Sequence, residues 1–144
     1  MANDQLDKAI ENAQVYLRYE RENPMAWLVL AQAQYRSGVN QQAVLKTLNQ
    51  AIELNQDNAE IYWYHGLIML DLEEYQEGVN DLVEAVKLEP ESFDYNLDLG
   101  RALFWAERYT DAYKQLGAAG SLAAQDEQKA KVSYWRARTL EAGS

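Results

Sequence analysis

A 34-residue spacing runs through most of this chain and constrains its fold more than any other feature. Gly66 and Tyr75 are followed 34 positions later by Gly100 and Tyr109. An earlier copy precedes them, with one extra residue in its second half. A constant step of this length is the sequence signature of a repeat array, in which each unit buries its apolar face against its neighbours.

The central unit, residues 59–92, is predicted to contain two helices. Its apolar residues recur every three or four positions, first up to Leu72 and again from Tyr75 to Leu88. Pro90 ends the second helix, because proline disfavours the helical conformation in the residue before it. Gly66 interrupts the first helix at a cost of about 1 kcal/mol relative to alanine. It therefore indicates a place where a neighbouring helix comes too close for a side chain.

The same periodicity extends through the whole chain and predicts an all-α protein of one domain, 1–144. An N-terminal amphipathic helix ends near Glu22, and a glycine-rich stretch, 117–121, is expected to be the weakest joint of the array. The other predicted helices are Met25–Ser37 with Gln41–Leu54, Ala59–Leu72 with Tyr75–Leu88, Phe93–Ala106 with Thr110–Ala118, and a final helix at Asp126–Glu141. The corresponding divisions are 1–23 for the first helix, 24–58, 59–92 and 93–125 for three repeats, and 126–144 for a terminal cap.

The two terminal helices are expected to cap the array, because the end units of a stack must shield its core from water. In the last helix an apolar stripe is predicted to face the array. It consists of Ala130, Tyr134, Ala137 and Leu140.

Charge and cysteine content exclude several classes of protein. The 23 acidic and 13 basic residues give a net charge of −10, which would repel nucleic-acid phosphates. The densest basic cluster is predicted to be a solvated helix face, formed by Lys129, Lys131, Arg136 and Arg138. No apolar run approaches the roughly 20 residues that span a bilayer, so neither nucleic acid nor direct membrane insertion is expected. The absence of cysteine and of a signal-like N-terminus favours either a cytoplasmic location or a domain taken from a longer protein.

No residue pattern in the chain indicates catalysis, a metal site or a cofactor. The single histidine, His65, has no second histidine or cysteine to complete a zinc site. Asp71, Glu73, Glu74 and Glu77 crowd around one turn, where they are expected to form solvated surface. The chain is therefore not expected to be an enzyme.

The repeated residues resemble the tetratricopeptide repeat family, a 34-residue helix-turn-helix with aromatic, Leu-Gly, Tyr, Ala and Pro positions. The matching residues are Tyr62, Gly66, Tyr75, Ala85 and Pro90 in the central copy, Leu99, Gly100, Tyr109, Ala112 and Ala119 in the third, and Trp27, Leu30, Gly38, Ala43 and Ala51 in the first. The resemblance implies a right-handed α-solenoid of three repeats. The family shares a scaffold and not an activity.

The resemblance also implies a concave face, to which the first helix of each repeat contributes. That face comprises Met25, Leu28, Val29, Gln32, Tyr35 and Arg36 from the first copy, Glu60, Trp63, Tyr64, Leu67, Leu70 and Asp71 from the second, and Asp94, Leu97, Asp98, Arg101, Phe104 and Trp105 from the third. All of these except Met25, Arg36, Leu70 and Asp71 are candidate partner-binding residues. Large exposed apolar patches mark partner sites, and the acids at the rim favour a basic partner.

Two functions are compatible with this surface. The first is a protein–protein interaction module, an adaptor, chaperone or assembly factor, that binds an apolar or amphipathic peptide with basic flanks. The alternative is a structural self-association module whose groove is filled by its own chain or by a second copy in a homodimer. The family members that grip a C-terminal carboxylate use Lys, Asn and Arg in the groove, whereas Leu28, Gln32, Tyr64, Asp94 and Asp98 stand here. The first hypothesis expects Tyr64→Ala or Phe104→Ala to abolish binding without unfolding the protein.

Overall fold

A computed structural model describes residues 2–144, which form eight α-helices and no strand in this range. The helices are α1 (Ala2–Tyr19), α2 (Pro24–Ser37), α3 (Gln41–Leu54), α4 (Ala59–Asp71), α5 (Tyr75–Leu88), α6 (Phe93–Trp105), α7 (Tyr109–Leu122) and α8 (Asp126–Ala142). None of these helices has the length and apolar character needed to cross a membrane.

The helices stack in chain order into a right-handed α-solenoid. Each helix packs against the one before it and the one after it, and in addition α4 contacts α6 and α6 contacts α8. Contacts between first helices of successive pairs are expected on the inner, concave side of a curved stack, where the helices are closest together. The helices α2, α4, α6 and α8 therefore form the concave layer, and α1, α3, α5 and α7 form the outer layer.

N-terminal capping residues explain where several of the helices begin. Asn23 and Asn58 cap α2 and α4, because each side chain accepts hydrogen bonds from two backbone N–H groups of the first turn. Ser92 does the same for α6 with the N–H group of Tyr95. These caps recur at the repeat spacing, which is why the sequence periodicity predicted most of the helix ends to within a residue.

The core lies between the two layers and is built from side chains that repeat along the stack. Its fully buried members include Leu28, Leu48, Ile61, Ile68, Leu82 and Leu116. Gly66 lies where α4 crosses α5, and a Cβ atom there would stand 2.8 Å from Cγ of Leu82. At Gly100, where α6 crosses α7, a Cβ atom would stand 2.6 Å from Cδ2 of Leu116. The close approach predicted from the glycine is confirmed.

The turns inside the three repeats share one left-handed residue. It is Gly38 in the first repeat, Glu73 in the second and Glu107 in the third, with φ angles of 77°, 62° and 58°. Glycine adopts this conformation without strain, whereas a glutamate does so at a cost. The backbone of the turn is thus common to all three repeats although the residue type is not.

The C-terminal third of the chain differs from the sequence prediction in two ways. The glycine-rich stretch 117–121 does not interrupt the array, because helix α7 continues through it to Leu122. Ala119 is buried there, and Gly120 lies against Val132 of α8, so tertiary packing outweighs the low helix propensity of glycine.

The apolar stripe predicted for α8 faces solvent instead of the array. Tyr134 and Leu140 are more than half exposed, whereas Val132, Trp135 and Thr139 pack inward. The inward face has the better fit, because Trp135 packs on the aromatic residues of α6 and Val132 fits against Gly120. Nor is the basic cluster wholly solvated, since the Arg136 guanidinium lies 4.1 Å from the ring of Tyr113.

Candidate functional site

The concave groove, formed by the exposed side chains of α2, α4 and α6, is the main candidate for a functional site. Met25 and Val29 are each 48% exposed, and Trp105 is exposed at the other end. Tyr64 and Leu67 are partly exposed between them. A row of half-exposed aromatic and aliphatic side chains of this kind offers apolar anchoring surface to a ligand.

Four of the predicted partner-binding residues are buried, which corrects the expectation that they face a ligand. Leu28 is 0% exposed and belongs to the core, and Leu97, Asp98 and Phe104 are all below 10%. Leu28 packs in a core cluster with Val44 and Leu48 of α3 and Ile61 of α4, and in α6 the packing of α4, α7 and α8 covers the others. The remaining ten are Val29, Gln32, Tyr35, Glu60, Trp63, Tyr64, Leu67, Asp94, Arg101 and Trp105, all partly or largely exposed.

The protein's own helix α8 occupies the third-repeat end of the groove. The ring of Trp135 lies 5.5 Å from that of Phe104 and 6.3 Å from that of Trp105. The Arg138 guanidinium stands 4.9 Å from the Phe104 ring and contacts the Trp105 and Trp135 rings as well. Aromatic pairs and cation–π contacts of this geometry stabilise the docked helix. The open part of the groove is thereby confined largely to the first two repeats.

Trp135 and Arg138 are groove residues that the sequence analysis missed. They lie 34 positions after Arg101 and Phe104, both of which were on the predicted concave face. Extending the repeat step one unit beyond the third copy would have found them.

A buried polar network ties the second repeat to the third beneath the groove. The Trp63 indole N–H donates to Oδ2 of Asp98 at 2.8 Å, and Arg101 donates to Oδ1 at 2.7 Å. Burial raises the pKa of Asp98, although the hydrogen bonds from Trp63 and Arg101 oppose the shift. Asp98 therefore acts as a structural link between α4 and α6, and its buried carboxylate is not accessible to a ligand.

Replacing Asp98 by asparagine should change how stability depends on pH. The folded-state pKa of Asp98 lies above its ordinary value of 3.8, so protonation favours the folded state. That contribution is complete below 3.8 and is lost as the pH rises through the folded-state pKa. We therefore expect the free energy of unfolding of Asp98→Asn, relative to that of the original protein, to increase as the pH rises from 3.8 through the folded-state pKa of Asp98. Urea unfolding at a series of pH values measures this difference. A difference that stays constant with pH would contradict the assignment.

A second set of hydrogen bonds connects α2 to α4 at the rim. Gln32 donates to Glu60 at 2.8 Å, and the Tyr35 hydroxyl donates to Asp71 at 3.0 Å. Burial, followed by the nearby Asp71 carboxylate, raises the pKa of Tyr35 to about 12. These contacts orient two of the acids at the groove, while Asp94 is exposed at the start of α6. The open groove is thus apolar along its length and acidic at its edge.

The other polar residues discussed in the sequence analysis lie either between packed helices or on the exposed surface. The His65 Nδ1 atom lies 2.7 Å from Oδ2 of Asp81, and both side chains are largely buried between α4 and α5. Glu73, Glu74 and Glu77 are exposed. Across residues 2–144 no three His, Cys, Asp or Glu side chains come together in a way that could hold a metal ion.

Comparison with known proteins identifies the family to which this chain belongs. The sequence profile described as "Tetratricopeptide repeat" matches residues 1–59 and 65–127. This covers most of the chain, and the protein belongs to the tetratricopeptide repeat family. No relative was found among curated protein sequences.

Solved structures confirm the fold at low sequence identity. The crystal structure of MamA is 17% identical, with a TM-score of 0.80 over 98% of this chain and 90% of that one. The Yersinia enterocolitica type III secretion chaperone SycD, in complex with a peptide of the translocator YopD, is 16% identical, with a TM-score of 0.73 over 82% of this chain and 92% of that one. YrrB, a repeat protein with an unusual peptide-binding site, is 17% identical and has a TM-score of 0.82 over 96% of this chain and 69% of that one.

Proposed function

We propose that this protein is a non-enzymatic interaction module that binds an amphipathic peptide segment in the open part of the concave groove. The observation that carries the proposal is the row of partly exposed apolar side chains on α2 and α4, Met25, Val29, Tyr64 and Leu67, beside acidic side chains at the rim. Such a surface is complementary to a segment with apolar anchors and basic flanks. An adaptor, a chaperone or an assembly factor would use it in this way.

Two features of related structures support a peptide ligand. SycD is described in complex with a peptide, and YrrB is described as having a peptide-binding site. The groove of the present protein differs from those that grip a carboxylate, because Glu60, Asp71 and Asp94 would repel one. We therefore infer that the ligand is an internal segment and not a free C-terminus.

A labelled model peptide tests this proposal. The probe is a fluorescein-labelled 18-residue amphipathic helix of leucine and lysine, followed by fluorescence anisotropy. We expect saturable binding that weakens in high salt, and an affinity at least tenfold lower for Tyr64→Ala, since aromatic residues central to an interface contribute about 2 kcal/mol or more. Circular dichroism of the variant checks that the helices remain folded.

A matched pair of valines supplies the control. Val29, on the groove, is 48% exposed, and Val83, on the outer helix α5, is 37% exposed. Val29→Lys places a positive charge against a basic ligand and should abolish binding, whereas Val83→Lys should leave the affinity unchanged. Equal losses in the two variants would reject the groove as the site.

Self-association is the second candidate, and two observations favour it. The protein's own α8 already fills one end of the groove through Trp135 and Arg138. Apolar residues are also exposed on α1, Tyr19 above all, and on α8, where Tyr134 and Leu140 face solvent. If a second copy fills the groove, light scattering should show a dimer that Val29→Lys converts into a monomer. A monomer at all concentrations would exclude this function.

A further inference from the structure

A cleft of about 480 Å³ opens on the outer side of the solenoid, between α1, α2 and α3. We call it the outer cleft. Its floor is formed by Leu17, Leu30 and Gln34, and its rim carries Arg18, Arg21 and Lys46. The volume lies within the usual range of ligand sites, about 300–1,000 Å³.

The outer cleft is separate from the concave groove. The residues of α2 that line the cleft are Trp27, Leu30 and Gln34, whereas Val29 and Gln32 face the groove. At 100° per residue, Gln34 and Gln32 point to nearly opposite sides of the helix. A ligand in the cleft therefore leaves the groove open, and the two sites can be tested separately.

The charge of the cleft is opposite to that of the protein as a whole. The chain has a net charge of −10, yet no aspartate or glutamate lines the cleft. Within residues 2–144 none of its three cations forms an ion pair, although six other basic side chains, such as Lys8 and Lys87, do so. Three unpaired cations around an apolar floor make a local positive site that favours an anionic ligand.

A buried amide at the floor of the outer cleft places a second requirement on the ligand. Gln34 is 9% exposed, and its Oε1 atom is buried without a hydrogen-bond donor. An unpaired buried acceptor is destabilising, and a ligand that supplies a donor removes the penalty. An ionised carboxylate only accepts hydrogen bonds, so a simple carboxylate anion does not meet this need. A peptide meets it, because its backbone N–H groups donate while its acidic side chains pair with the rim.

We propose that the outer cleft is a second binding site, which accepts an acidic peptide segment of a partner protein with an apolar side chain against Leu17 and Leu30. The carboxylates of the segment pair with Arg18, Arg21 and Lys46. One backbone N–H of the segment donates to Gln34 after a rotation of the Gln34 amide toward the ligand. The protein would thus hold a basic segment on its concave side and an acidic one on its outer side.

The test uses the full chain labelled with ¹⁵N and a capped hexapeptide of alternating glutamate and leucine. We expect saturable shifts of amide signals confined to α1, α2 and α3. The triple variant Arg18→Gln, Arg21→Gln, Lys46→Gln should lower the affinity about tenfold, since each rim pair contributes a factor of a few. The control is Lys114→Gln, which removes an exposed cation of α7 that also lacks an ion pair and should change nothing.

Gln34→Leu distinguishes a binding role from a merely structural one. It removes the unpaired acceptor, so the melting temperature of the free protein should rise while the peptide affinity falls by about threefold or more. A variant that is more stable and also a weaker binder is not expected of a residue that only packs.

Three results would overturn the proposal. Inorganic phosphate that produces the same shifts at the same strength would mean a simple anion site. Shifts that map to the concave groove, and disappear in Tyr64→Ala, would mean that the hexapeptide binds there. A triple variant with unchanged affinity would mean that the rim cations take no part. Only the second outcome also bears on the proposed function, because an acidic peptide in the groove would contradict its preference for basic flanks. The leucine–lysine peptide, whose binding depends on Tyr64 and Val29, tests that preference separately.

Discussion

Replacing Phe104 by alanine should lower the free energy of unfolding by about 3–5 kcal/mol, the usual range for a buried aromatic residue. Phe104 is 8% exposed, and its ring lies 5.2 Å from that of Trp105, 5.8 Å from that of Tyr109 and 5.5 Å from that of Trp135. The truncation leaves a cavity where α6, α7 and α8 meet. Urea unfolding followed by circular dichroism measures the change.

This result would replace the sequence-based expectation that Phe104→Ala abolishes binding without unfolding the protein. Val83→Ala, an exposed valine on α5, is the control and should change stability by less than about 0.5 kcal/mol. If the Phe104→Ala protein is as stable as the original but cannot bind the leucine–lysine peptide, Phe104 is a ligand-binding residue of the groove and not a core residue.

The adjacent residues Leu28 and Val29 should behave very differently when each is replaced by alanine. Leu28 is 0% exposed and packs with Val44, Leu48 and Ile61, so Leu28→Ala should cost about 2–5 kcal/mol. Val29 is half exposed, so Val29→Ala should leave stability within about 0.5 kcal/mol of the original. Both changes are measured by urea unfolding under the same conditions.

Peptide affinity completes the comparison. Val29→Ala should weaken binding of the leucine–lysine peptide, because it removes an exposed anchor in the groove. Leu28→Ala should leave the affinity unchanged under conditions where the protein remains folded. The reverse pattern, a stable Leu28→Ala protein that no longer binds, would contradict the burial of Leu28 and the position assigned to the groove.

Most helix ends could be predicted from the sequence because local residues control them. The caps Asn23, Asn58 and Ser92 recur at the repeat spacing, and proline and turn residues stop the helices between them. Gly66 likewise revealed a close helix crossing, since a glycine inside a helix is unfavourable unless a neighbour requires it. Each of these features acts within a few residues of the chain.

The membership of the groove could be predicted only in part. The resemblance to the repeat family places Val29, Tyr64, Asp98 and Phe104 on the same side of the solenoid. It does not say how deeply a neighbouring helix covers each of them. Asp98 accepts hydrogen bonds beneath the surface, and Phe104 is covered by α8. Burial on a shared face depends on contacts between residues that are far apart in the sequence.

By itself the sequence determined the repeat, the helices, the family and the acidic character of the protein, because all of these follow from local propensity, spacing and composition. Only the tertiary structure decided which face of α8 packs inward, which end of the groove stays open and where an acid-free outer cleft lies. Trp135 and Val132 outweigh the stripe of Tyr134 and Leu140 on α8 because they find complementary partners on α6 and α7. Periodicity describes one helix at a time, whereas packing is a property of pairs of surfaces.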